Sequence, residues 1–226
     1  LANALRNLAL VLDARGQRDE ALAMASQALA DAERTLGPEH PDVAPFLNTL
    51  GLIQRRRDPA AAAATLARAL AISTRTRGPR HPAVATSLVR LGEANLALAR
   101  FDAAHDNFTA ALAIREALGE GTPEVADVLA DLGDLALARG RPTEAIAPLE
   151  RARTIREKGG IPAHQLAAVR FSLARALQAL PAGEGRDPTR AVDLAEESAE
   201  ALRREGPAVA AELAAVEAWL KQAPRR

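Results

Sequence analysis

The sequence contains no cysteine, which excludes disulfides, thiolate metal ligands and thiol nucleophiles and suits a reducing, cytoplasmic setting. Aromatic residues make up only 2% of its 226 positions, so bulky rings cannot carry the core. Net charge is also missing: 29 basic residues balance 29 acidic ones. A nucleic-acid binder needs a basic excess, so no nucleic-acid partner is expected and the charges read as a mixed, solvated surface. No run approaches the ~20 apolar residues that span a bilayer, and no membrane partner is expected. There is no Gly-rich phosphate loop, no His-Glu-x-x-His and no Cys/His cluster. We therefore expect no cofactor, no metal site and no catalytic residue, and read the chain as a non-enzyme.

Alanine and leucine dominate instead, and they recur in helical register. The organising stretch is Gly37-Pro38-Glu39-His40-Pro41-Asp42-Val43-Ala44. It returns as Gly78-Pro79-Arg80-His81-Pro82-Ala83-Val84-Ala85, then as Gly119-Glu120-Gly121-Thr122-Pro123-Glu124-Val125-Ala126, and in worn form as Gly159-Gly160-Ile161-Pro162. The prolines Pro41, Pro82, Pro123 and Pro162 are separated by 41, 41 and 39 residues. Such a period marks a repeat array. Glycine ends one helix, proline opens the next at a position whose N–H would be unpaired anyway, and Asp42 and Glu124 place acid in a first turn. His40, His81 and Thr122 stand beside the N-caps, where the two histidines read as caps and not as metal ligands.

Between joints lie pairs of helices: about 1–15 with 19–36, 41–57 with 59–76, 82–99 with 102–118, 123–139 with 142–158, and 162–180 with 188–204. Asp58-Pro59 and Gly140 make turns inside hairpins. Pro148 falls inside a second helix, where a local bend is expected. The loop Pro181-Ala182-Gly183-Glu184-Gly185 is the longest connection. A last amphipathic helix carries Val209, Leu213, Val216 and Leu220 and is expected to cover the final stripe, with Trp219 packing that cap and 223–226 as a tail. The approximate units are 1–37, 38–78, 79–119, 120–160 and 161–204, followed by a capping helix over 205–222.

Superposed first helices read Leu5-x-x-Leu8-Ala9, Leu47-x-x-Leu50-Gly51, Leu88-x-x-Leu91-Gly92 and Leu129-x-x-Leu132-Gly133. Second helices read Ala21…Ala25…Ala28, Ala62…Leu66…Ala69, Ala104…Phe108…Ala111 and Ala145…Leu149…Ala152. Small residues let helices approach and large ones fill the gaps. This pattern resembles the tetratricopeptide repeat, most closely the long kinesin-light-chain-like variety, whose "REK-x-L-G-x-x-H-P-D-V-A" joint is similar to Ile155-Arg156-Glu157-Lys158 and to the Gly37 and Gly78 joints. The resemblance covers about residues 1–204. Arg170–Ala174 and Ser198, at an expected alanine, depart from it. It implies an all-α, right-handed α-solenoid of about five antiparallel hairpins plus a C-terminal capping helix.

The resemblance also implies that first helices line a concave groove holding an extended protein or peptide segment, with Asn pairing its backbone and basic residues pairing its acidic groups. Counted from the Leu-x-x-Leu-small motif, the groove stripe holds Arg6, Asn7 and Asp13, then Asn48, Thr49, Arg55 and Arg56. It continues with Val89, Arg90 and Glu93, then Asp127, Asp131 and Asp134, and ends at Arg175 and Gln178. Of these, Arg6, Asn7, Asn48, Arg55, Arg90, Glu93, Asp131, Asp134 and Arg175 are the peptide-binding candidates. The early stripe is basic and the later one acidic, which would orient a segment with its acidic end toward the first repeats. His105 is expected at the surface, since its acidic neighbours Asp102 and Asp106 point elsewhere around the helix.

The expected function is a non-enzymatic scaffold within a larger bacterial signalling protein, because the chain opens inside a helical pattern without an initiator Met. An alternative is a regulatory or oligomerising arm of a bacterial multidomain enzyme, such as a serine/threonine kinase or a nucleotide-dependent switch, which leaves room for self-association. A bare structural spacer would bind nothing.

Overall fold

A computed structural model describes residues 1–223 apart from 160–162, 182 and 184, and apart from the side chain of Ala208. The described residues form eleven α-helices and no strand: α1 (Ala2–Ala14), α2 (Arg18–Leu36), α3 (Ala44–Gln54), α4 (Pro59–Arg77), α5 (Pro82–Ala97), α6 (Phe101–Glu116), α7 (Pro123–Ala138), α8 (Pro142–Lys158), α9 (Ala163–Ala179), α10 (Pro188–Glu205) and α11 (Ala210–Gln222). α1 to α10 pair into five helix hairpins of the α-solenoid class, and α11 follows α10. The chain divides into two compact units, Leu1–Ala117 and Leu118–Arg226.

The joints work as their chemistry requires. Gly37 and Gly78 take φ of 93° and 86°, a region that excludes most side chains, and so end α2 and α4. His40 Nδ1 then accepts the Asp42 N–H at 3.1 Å, and His81 Nδ1 accepts the Ala83 N–H at 3.1 Å. Thr122 Oγ1 does the same for the Val125 N–H at 3.4 Å. All three are N-caps. The expected helix over 41–57 starts instead as a 3-10 turn, Pro41–Val43. Pro45 has no N–H to return to the Pro41 carbonyl, so the Ala44 N–H closes a tighter turn onto it. α8, in contrast, continues unbroken through Pro148.

Unit 1 contains the hairpins α1/α2, α3/α4 and α5/α6. Its core is built by knobs from first helices entering small-residue stripes on the preceding second helix. Val43 and Phe46 pack with Ala28 and Ala32, while Leu50 and Ile53 pack with Ala21 and Ala25. Within hairpins the sizes reverse. A Cβ added to Gly92 would fall 2.6 Å from Phe108 Cε1, and one on Gly51 would fall within 3.0 Å of Leu66 side-chain atoms. Ala99 takes the left-handed conformation after α5, with φ 54°, where Gly16 and Gly140 serve the corresponding turns after α1 and α7.

Unit 2 contains α7/α8 and α9/α10, with α11 against α10. Gly133 sits under Leu149 as Gly51 does under Leu66. Ser198 is fully buried where an alanine was expected, and its Oγ donates to the Ala167 carbonyl at 2.9 Å. Arg170 stands where other first helices carry leucine; it meets Glu197 at 3.1 Å and Glu157 at 3.5 Å. Trp219 packs edge-on against Phe171, with ring centroids 5.9 Å apart. Most of the worn fourth joint, Ala182 and Glu184 of the long loop, and tail residues 224–226 lie outside the described residues.

Candidate peptide-binding surface

The first helices of unit 1 supply one face, with α3 touching both α1 and α5. A cavity of about 340 Å³ opens there, and Arg6, Asn48, Ser73, Arg77 and Arg90 supply its hydrogen-bonding side chains together with Thr49 and Thr86. Leu10 and Leu52 give it apolar wall, and no acidic residue lines it. Arg6 holds its guanidinium 5.1 Å from the centre of the Phe46 ring, a cation–π contact that orients the charge. Asn48 donates from Nδ2 to Ser87 Oγ at 3.1 Å, and Ser87 donates onward to the Ala83 carbonyl at 3.2 Å. That leaves Asn48 Oδ1 buried with no hydrogen-bond partner, and Ser73 Oγ is in the same state. Unpaired buried acceptors are uncommon and costly.

Arg55, Arg90 and Glu93 form a cluster of their own. Arg90 Nη1 reaches both Glu93 oxygens at 3.2 Å, and Arg55 Nη1 lies 3.4 Å from Glu93 Oε2. Two of the arginines read as free basic charge in the stripe are thus tied to one carboxylate between them. Arg55 and the exposed Asn7 lie outside the cavity lining. Val89 is buried and offers the face nothing. Thr49 is buried too, donating to the Pro45 carbonyl at 3.1 Å.

In unit 2 the stripe residues fall on α7 and α9. Ser172 Oγ donates to Asp134 Oδ1 at 2.7 Å, and Arg175 lies near the same carboxylate. Crowding by surrounding protein raises the Asp134 carboxyl above its ordinary value, even though the residue as a whole is exposed to solvent. The Ser172 hydrogen bond and the Arg175 charge pull the other way and are outweighed. Asp131 is half-buried on α7. Asp127 is diverted from the stripe: Arg156 of α8, buried to 7%, reaches it at 2.8 Å and also donates to the Gln165 carbonyl. The long arginine competes for the nearest carboxylate, which stripe counting does not register. His105 is exposed, and no group of three His, Cys, Asp or Glu among the described residues could hold a metal.

Three residues of this surface escaped the sequence reading. Ser73 and Ser87 were legible in principle as lone hydroxyls within apolar stripes. Arg77, which reaches back to Asp42 at 2.8 Å, was legible as a base in a last helical turn.

Hairpins that nest through alternating small and large residues, joined by capped Gly-Pro turns, define a helical-repeat protein. A tetratricopeptide repeat model matches residues 1–75, 52–117 and 108–158, and the chain belongs to the tetratricopeptide repeat family. Proteins of this family serve as interaction scaffolds for proteins or peptides, and the fold is typically non-catalytic. Among solved structures, the chain is similar to BtubC (BKLC) from P. vanneervenii at TM-score 0.74 and 24% identity, covering 92% of this chain and 82% of that one. It is also similar to a kinesin light chain-like protein of Podosopora anserina with nearly identical TPR-like repeats, at TM-score 0.71 and 24% identity, covering 90% and 95%. A Rap protein complexed with Competence and Sporulation Factor aligns at TM-score 0.66 and 17% identity, covering 99% and 65%. No curated protein matches the sequence. Among the described residues no helix is long and apolar enough to cross a membrane.

Proposed function

We propose that this protein is a scaffold that holds an extended protein segment on the first-helix face of unit 1, with an acidic side chain of that segment seated in the Arg6–Asn48–Arg90 cavity. One observation carries the reading: three arginines and an unpaired amide oxygen converge on a cavity that has no acid of its own. In this reading Arg6 meets the guest's carboxylate, Arg77 and Arg90 exchange Asp42 and Glu93 for it, and the Asn48 amide turns out of its buried position to accept a backbone N–H. The Rap complex with Competence and Sporulation Factor shows that a related fold takes up a partner. In this reading the chain works within a larger signalling protein of a bacterial cytoplasm.

The test uses two fluorescent random-sequence peptide pools, one rich in Asp and Glu and one rich in Lys and Arg, in anisotropy titrations. The acidic pool should bind more tightly, weaken with added salt, and lose affinity at least about tenfold with Arg6→Ala and Asn48→Ala. Equal binding of both pools, or unchanged affinity of the variants, refutes the assignment.

A further inference from the structure

The unit 1 cavity draws Arg6 from α1, Asn48 from α3, Ser73 and Arg77 from α4 and Arg90 from α5. Arg6 lies on the opposite side of α1 from Leu8 and Val11, whose counterparts Leu50 and Ile53 on α3 pack against α2. The cavity is therefore separate from the face on which hairpins stack.

One of its hydroxyls is out of pattern. Thr49 and Thr86 donate to the Pro45 and Pro82 carbonyls at 3.1 and 3.3 Å, the usual arrangement for a hydroxyl within a helix. Thr76, three residues beyond Ser73 on α4, does the same to Ile72 at 2.7 Å. Ser73 does not follow them. It is fully buried, at 0% exposure, and its Oγ has no hydrogen-bond partner. An unpaired hydroxyl held in a wall among guanidinium groups marks a place where a bound group can supply the missing acceptor.

The charges say what kind of group. Asp42 and Glu93 touch Arg77 and Arg90 from outside the cavity, and Arg55 shares Glu93. Arg6, Arg55, Arg77 and Arg90 set against these two carboxylates leave a surplus of two positive charges. A single carboxylate would neutralise half of that surplus, and its two oxygens lie in one plane. A phosphate monoester carries nearly two negative charges and offers three oxygens, which suits donors arriving from α1, α4 and α5.

Resting on the reading that a guest segment lies on this face, we propose that the acidic group seated in the cavity is a phosphorylated serine or threonine of that segment. Arg6, Arg77 and Arg90 meet its oxygens from three helices, and Ser73 donates to it from the wall.

Four fluorescent peptide pools test this by anisotropy titration of the 226-residue chain. Each has random residues other than Asp and Glu around a fixed centre: serine, glutamate, two adjacent glutamates, or phosphoserine. The phosphoserine pool should bind at least about tenfold more tightly than either glutamate pool, and the serine pool should bind most weakly. Ser73→Ala should cut the phosphoserine affinity about tenfold and move the glutamate affinities less than about twofold. This variant removes an unsatisfied buried hydroxyl and should keep wild-type helical circular dichroism. Should that signal fall, Ser73→Cys, a near-isostere with a weak donor, replaces it under the same criteria. Phosphoserine binding no tighter than the glutamate pair, with both glutamate pools above serine, overturns the phosphate assignment and leaves the acidic guest standing. A phosphoserine advantage undiminished in the folded Ser73 variant overturns it too. If no pool exceeds serine, the acidic guest falls along with it.

Discussion

Gly92 lies against the ring of Phe108, so close that a single added carbon would stand 2.6 Å from Cε1. Gly51 with Leu66 and Gly133 with Leu149 repeat the relationship, which sets how near the two helices of a hairpin can come. Gly92→Ala gains about 1 kcal/mol in helix propensity but loses about 2–3 kcal/mol to overpacking, for a net loss of roughly 1–2 kcal/mol. Urea denaturation should show a lower midpoint at an unchanged slope. Adding Phe108→Leu should restore part of the loss, and strictly additive costs would show that the ring is not the obstacle.

Ala99 accepts a backbone conformation that glycine holds at the corresponding turns, with φ 54° against 78° at Gly16 and 69° at Gly140. Ala99→Gly should therefore stabilise unit 1 by about 0.5–1 kcal/mol, the relief of left-handed strain less the added freedom of the unfolded chain. A thermal midpoint at or below that of the wild type would contradict this.

Arg156 is buried while its partner Asp127 is half open, so the two ends of this ion pair are unequal. Asp127→Ala strands a buried guanidinium and should cost about 2–3 kcal/mol, less than a fully buried pair because solvent reaches the site. Arg156→Met keeps the apolar stem, removes the charge and should cost no more than about 1 kcal/mol. The reverse order in chemical denaturation would place the stabilisation in the charge.

Asp134 predicts a pH effect of definite sign. Its folded carboxyl titrates above its unfolded value, so the folded chain holds this proton more tightly. The associated destabilisation is absent below the ordinary carboxylate range and sets in as pH rises through the window between the two values. Asp134→Asn, which still accepts from Ser172, should match the wild type at the acid end and exceed it at neutral pH. Stability curves that run parallel from acid to neutral pH would dismiss the effect.

The fold was written in the sequence twice, in the spacing of Pro41, Pro82 and Pro123 and in the small–large alternation of Gly51/Leu66 and Gly92/Phe108. Both are backbone-scale signals, one set by helix punctuation and the other by approach distance. The surface was less legible because its long side chains choose among partners brought close only by folding. Stripe counting put Arg55, Arg90 and Asp127 on one wall, yet Glu93 engages the first two and Arg156 draws off the third. Asn48 finds Ser87 across 39 positions of chain, a pairing that fixes which end of its amide is available. The 3-10 start before α3 was within reach, since Pro45 follows Pro41 by four and removes the donor that an α-helical first turn needs.

In unit 1, α3 lays its knobs into α2, and Leu91 of α5 lies on α4. The second and third hairpins therefore each meet a surface synthesised before them. Structure in unit 1 is then able to follow the ribosome, one repeat settling onto the last as it emerges, with short loop closures and little opportunity for distant strands of chain to entangle.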